Sequence, residues 1–140
     1  MSADFNNMTL DELRVVLARD LPADAAFDGW TATALRATAE RLGVDADVAG
    51  LVFPDGALQM IDAWFASVDA DMLDACPAEG LATLKIRERI TTLVETRLAL
   101  LAPYREALRR AQAILANPLN ASVATRLGWR AADVMWRAAG

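Results

Sequence analysis

Asp62 and Asp69 are the first residues to weigh as chemistry. They stand seven positions apart, a spacing that puts two carboxylates on one face of a helix, as a general acid and base would require. Nothing cationic or metal-binding accompanies them in the sequence, and Asp71 and Asp74 follow closely. The pattern therefore predicts a solvated acidic face. Cys76 is the sole cysteine, so an internal disulfide is excluded; with no basic neighbour to favour the thiolate, it reads as a structural thiol at a helix end. Lys85, Arg87 and Arg89 form a cationic cluster that suits either water or lipid headgroups. Trp129 and Trp136, one heptad apart, need a partner surface: core packing, a ligand pocket, a dimer contact or a neighbouring helix. The chain has no histidine. Zinc sites, Ser-His-Asp and Cys-His nucleophile systems and Glu-x-x-His di-iron sites cannot be assembled from it. The expectation is a non-enzymatic protein with no catalytic residue, no metal and no cofactor.

The elements that position these residues are all helical. Hydrophobic residues make up 55% of the 140 but aromatics only 6%, and no run alternates with period two. Thr9 and Glu12 match a capping box ahead of Leu10, Leu13, Val16 and Leu17, predicting a first helix that ends near Asp20, with Pro22 bending or stopping it. Trp30, Thr31 and Leu35 have the spacing of a hydrophobic staple, so a second helix starts at Thr31 and stops at Gly43. Asp45 caps a short third helix that must end near Pro54. Asp55 is the expected N-cap of a fourth, over 56–75, with Leu58, Ile61, Trp64, Phe65, Val68 and Met72 inward. A long central helix is predicted over 81–102, apolar on two sides (Ile86, Ile90, Leu93 and Leu100; Leu84, Val94, Leu98 and Leu101) and therefore wedged between layers. Helices over 103–116, with Glu106 and Arg110 paired, and from Asn120 onward complete the chain.

Helix, glycine turn and short helix over 31–53 outline a helix-turn-helix. The charges argue against DNA. Between Asp45 and Phe53 there are two aspartates and otherwise only small or apolar residues, whereas base edges are read by Lys, Arg, Asn or Gln. Residues 1–80 carry 4 Arg against 15 Asp plus Glu, a net of −11, and residues 81–140 carry a net of +6. An acidic reading head repels phosphate. The segment 1–10 lacks the apolar run of a secretory signal, and the longest uncharged stretch, 111–125, is too polar to span a bilayer.

Several blocks occur together in order: Phe27-Asp28-Gly29-Trp30-Thr31, Leu42-Gly43, Leu51-Val52-Phe53-Pro54 with Gly56, Lys85-Ile86-Arg87-Glu88-Arg89-Ile90, Leu101-Ala102-Pro103 with Arg105-Glu106-Ala107, and Trp129-Arg130 with Ala132-Asp133 and Trp136. In combination they resemble the ubiquinone (coenzyme Q) biosynthesis accessory lipid-binding family, the ninth polypeptide of the Coq set and its bacterial relatives. The resemblance covers nearly the whole chain. It implies an all-α, TetR-like helical bundle, with a degenerate helix-turn-helix subdomain over 1–54 and a lipid-binding and dimerisation domain over 55–140. It also implies a homodimer that binds an isoprenoid quinone or other lipid and presents quinone precursors to a membrane-associated di-iron hydroxylase. Family members continue with further helices beyond the position of Gly140, so a truncated chain is expected. Peripheral membrane contact would need those helices. The implied location is cytoplasmic, peripheral to the inner membrane at most, with no nucleic-acid partner. Facing stripes nominate Trp64, Phe65, Val68, Leu93, Arg97, Trp129 and Trp136 as lipid-binding candidates, each of which core packing also explains. The rival reading is a TetR-type, ligand-responsive transcriptional regulator.

Overall fold

The computed structural model describes residues 5–140, and within them the protein is all α-helical. Residues 1–4, part of the segment read above as carrying no secretory signal, lie outside the described residues. Eight α-helices follow in order among the described residues: α1 (Leu10–Asp28), α2 (Ala32–Leu42), α3 (Ala46–Val52), α4 (Ala57–Ala75), α5 (Ala78–Ala82), α6 (Ile86–Leu101), α7 (Arg105–Leu115) and α8 (Ala121–Ala139). None is long and apolar enough to cross a membrane.

The N-terminal punctuation follows the residue chemistry. Thr9 Oγ1 accepts from the Glu12 amide at 3.1 Å and Thr31 Oγ1 from the Ala34 amide at 3.2 Å. Asp45 accepts from the amides of Asp47 (2.8 Å) and Val48 (3.3 Å), which starts α3. Gly43, at φ 82° and ψ 22°, ends α2 in the left-handed conformation that a side chain disfavours.

Three boundaries differ from expectation. α1 does not stop near Asp20 but runs through Pro22 to Asp28. An interior proline costs about 3 kcal/mol. Here Leu17 and Leu21 flank it, both fully buried with Ala18 and Ala25, and two leucines alone gain about 3–6 kcal/mol on burial. Packing therefore outweighs propensity. At the start of α4 the cap residue is Gly56, not Asp55; the Asp55 amide instead donates to Gln59 Oε1 at 3.0 Å. The expected helix over 81–102 is two helices, α5 and α6. Thr83 Oγ1 turns back to the Gly80 carbonyl (2.8 Å), and Arg89 covers the freed carbonyls of Leu84 (2.8 Å) and Ala82 (3.4 Å). A side chain that satisfies those carbonyls permits the break.

α1 packs most extensively on α2 and α4, and also on α7 and α3; α4 in turn meets α6 and α8. One core draws on both sides of residue 54, from Leu13, Leu17 and Leu21 through Trp30, Val52, Ile61 and Trp64 to Leu127. A second, smaller core holds Met72, Cys76, Leu81, Leu93 and Ala139. α6 is not the central post foreseen: Leu93 and Leu101 are buried, but Ile86, Val94 and Leu98 face solvent. The central position belongs to α4.

A polar clasp holds α2 on α1, and α7 carries an ion-pair cluster of its own. Asp24 on α1 receives Thr38 Oγ1 (2.6 Å) and Arg41 Nη2 (2.8 Å) from α2. Burial pushes its carboxyl up, but those two hydrogen bonds outweigh it and hold the group below its ordinary range. On α7, Arg109 donates to Glu106 at 2.6 and 2.9 Å and Arg110 at 3.0 Å. The bonds from Arg109, helped by Arg110, bring Glu106 down from 4.5 to about 2. A depressed carboxyl contributes its stabilisation above the ordinary value and loses it as pH falls from 4.5 toward about 2. The group is solvent-exposed, so the contribution is small. A carboxyl-detected NMR titration should place the Glu106 midpoint near 2, and Arg109→Gln should move it toward 4.5.

Candidate functional site

The two aspartates singled out first are not a solvated face. Both stand on α4 at its junction with α6 and α8, and each is ion-paired. Asp69, 6% exposed, pairs with Arg97 of α6 and lies 3.8 Å from Arg130 Nε of α8. Asp62 pairs with Arg130 and, at 3.4 Å, with Arg126. Arg130 Nη2 also donates to the Asp62 carbonyl at 3.1 Å, while its buried Nε lacks a hydrogen-bond partner. The partners are 28 to 68 residues away in sequence, beyond the reach of local spacing. Compensated carboxylates of this kind hold helices together; a free base needs an unpaired oxygen turned to substrate.

The seven lipid-binding candidates fall into three places. Trp64 is buried in the main core, its ring centroid 5.2 Å from that of Trp30, 5.3 Å from Phe65 and 6.2 Å from Tyr104. Phe65 is half-buried beside it and Val68 buried one turn on. Trp64 and Val68 line a hollow of about 190 Å³ with Ser67, Leu100 and Tyr104, and the Arg19–Asp71 ion pair (2.8 Å) adjoins it. Leu93 is buried in the second core, and Arg97, one turn further along α6, is taken by Asp69. Trp129 and Trp136 are on the outer face of α8, 73% and 70% exposed. They line a hollow of about 350 Å³ with Ala132 and Asp133, and Trp129 lines another of about 380 Å³ with Thr125, Gly128 and Ala132. The hollow at Trp64 shares no residue with those two. The candidates are not gathered into one cavity.

The basic cluster divides as well. Arg89 is half-buried and donates to three carbonyls, those of Ala82, Leu84 and, at 3.0 Å, Ala139. Lys85 and Arg87 are exposed. Cys76 is buried as expected, its Sγ 3.3 Å from Thr96 Oγ1. Among the described residues no group of three or more Cys, Asp and Glu side chains is placed to hold a metal ion. On α3 the exposed positions are Asp47, Gly50 and Leu51, beside the exposed cap Asp45, and none is a phosphate ligand.

Sequence reasoning missed three anchors. Arg130 and Arg126 give no local sign of their role, because their partners are on α4. Trp30 has the spacing of a staple, but its indole N–H also donates to the Ala107 carbonyl of α7 at 3.0 Å. The one signal for that bond is general: a buried indole N–H needs an acceptor. Compared with known proteins, the chain matches no family model and no curated relative.

Proposed function

We propose that this chain is a non-catalytic carrier of apolar ligands, of the kind its resemblance to the ubiquinone accessory family implies. On this reading it binds an isoprenoid quinone precursor or another lipid and presents the head group to a membrane-associated hydroxylase, working as a homodimer on a TetR-like bundle. The observation that supports it best is the outer face of α8. Two tryptophans some seven-tenths exposed, with Ala132 between them, make an apolar strip. Arg137, paired with Asp133 at 2.9 Å, adjoins it on the same helix. Such a strip is costly to leave in water and suits a hydrocarbon chain with a polar end. The need for a carrier is physical: each CH₂ moved out of water is worth about 0.8 kcal/mol, so a polyisoprenoid does not cross water unaided.

Native mass spectrometry before and after lipid extraction tests the reading, followed by titration of the stripped protein with a short-chain ubiquinone analogue. Co-purifying lipid and saturable binding are expected. Trp129→Ala with Trp136→Ala should weaken binding about 30-fold or more, as two lost anchors worth ~1 kcal/mol each would require. A protein that arrives empty and does not bind the analogue overturns the carrier; undiminished binding by the double variant moves the site off α8. Tight duplex binding at low salt in a mobility-shift experiment would instead favour a regulator.

A further inference from the structure

α8 is attached to the bundle with less buried apolar surface than α1 or α4, the other two 19-residue helices. α1 buries Leu13, Leu17, Ala18, Leu21, Pro22 and Ala25, whereas α8, of equal length, buries only Leu127 and Ala139. Its remaining inward apolar residues, among them Val123, Val134 and Met135, are half-buried. Polar ties replace the missing grease. Arg130 and Arg126 reach Asp62 and Asp69 on α4. At the far end, Arg89 of α6 donates to the Ala139 carbonyl, where the helix dipole is negative. Beneath α8 lies the second core, with Met72 and Cys76 from the end of α4 and Leu93 from α6, covered by Val134, Met135, Ala138 and Ala139.

We propose that α8 is a lid latched by ions over an apolar trough between α4 and α6. The Asp62–Arg130–Asp69 cluster is the latch, and the turn at Asn117–Asn120 is the pivot. That turn stays fastened to α7 through Asn120 Nδ2 and the Ile114 carbonyl at 2.9 Å. Local opening of this kind is set by the few contacts that must break, not by the stability of the whole molecule. An ionic latch suits reversible opening because both halves regain water when they part, whereas a greased interface exposes only apolar surface. Lifting α8 would uncover Met72, Cys76 and Leu93 together. That this trough admits a lipid tail rests on the carrier reading; the lid itself does not.

Cys76 reports the opening without any ligand, being the only thiol in the chain and buried under α8. Its reaction with a disulfide reagent, 5,5′-dithiobis(2-nitrobenzoate), is followed in buffer alongside hydrogen exchange. Arg130→Met removes the latch from the α8 side and leaves the Asp69–Arg97 pair in place. Thiol labelling should accelerate at least about tenfold, the change that ~1.4 kcal/mol of lost latch produces. Exchange over residues 121–139 should rise with it and exchange in α1 and α2 stay unchanged. Arg126→Gln, which spares Arg130, should give a smaller rise in the same two readouts and serves if Arg130→Met does not fold. Equal labelling rates in variant and parent overturn the lid, as does acceleration matched in α1 or absent from residues 121–139. Because no lipid is involved, these outcomes are separate from those that decide the carrier.

Discussion

Trp64→Ala is expected to remove about 3–5 kcal/mol of stability, the range for truncating a buried aromatic. Its side chain is 2% exposed and lies against Trp30, Phe65 and Tyr104, where the start of α2, α4 and the turn before α7 converge. Offset and edge-on ring pairs add about 0.5–1.5 kcal/mol each beyond area burial, so the upper part of the range applies. Against a typical stability of about 5–15 kcal/mol, that is roughly a fifth of the total or more. Urea unfolding should show a lower midpoint with an unchanged slope. The result also separates two roles for Trp64. If the folded fraction of the variant still binds a quinone analogue at parental strength, Trp64 serves the core alone. A loss under 1 kcal/mol would contradict its place there.

Asp69→Asn is expected to cost a similar amount, about 3–5 kcal/mol, because breaking a buried pair strands the opposite charge. The Asp69 and Arg97 side chains are 9% and 15% exposed, and Arg130 Nε already lacks a hydrogen bond. Asp69→Leu combined with Arg97→Met should recover most of the loss, since hydrophobic residues of similar volume often replace such a pair without penalty. A double-mutant cycle reads the coupling directly. The comparison is the Arg19–Asp71 pair, 2.8 Å apart with side chains 43% and 38% exposed. Asp71→Asn should cost less than about 1 kcal/mol. If the two aspartates give the same figure, the junction of α4, α6 and α8 is wetter than its burial implies.

Much of the backbone was legible because its causes are local. Thr31, Gly43, Asp45 and Pro54 each act within one helical turn, and the structure places the boundaries of α2 and α3 where those residues require. The errors have two kinds of cause. Pro22 is carried inside α1 by its burial in the core, a non-local effect, whereas the gap between α5 and α6 is stabilised by Arg89 from five and seven residues away, through a side-chain turn that periodicity does not encode. Val94 and Leu98 satisfied a helical stripe yet remain exposed; periodicity identifies an apolar side but not what covers it. The acidic look of α4 misled for the same reason, since its counter-charges come from α1, α6 and α8, 28 to 68 residues away. Of the candidate site, the exposure of Trp129 and Trp136 answers the question their spacing posed: neither is core.

The bond from Trp30 to the Ala107 carbonyl bears on whether α2 and α3 can swing as a unit. Here the start of α2 is pinned to α7 by a buried indole hydrogen bond, and parting the two would strand donor and acceptor at about 1–3 kcal/mol. The Asp24 clasp on Thr38 and Arg41 fastens the other side of α2 to α1. With α2 fixed at both points, it moves with α1 and α7 and not against them.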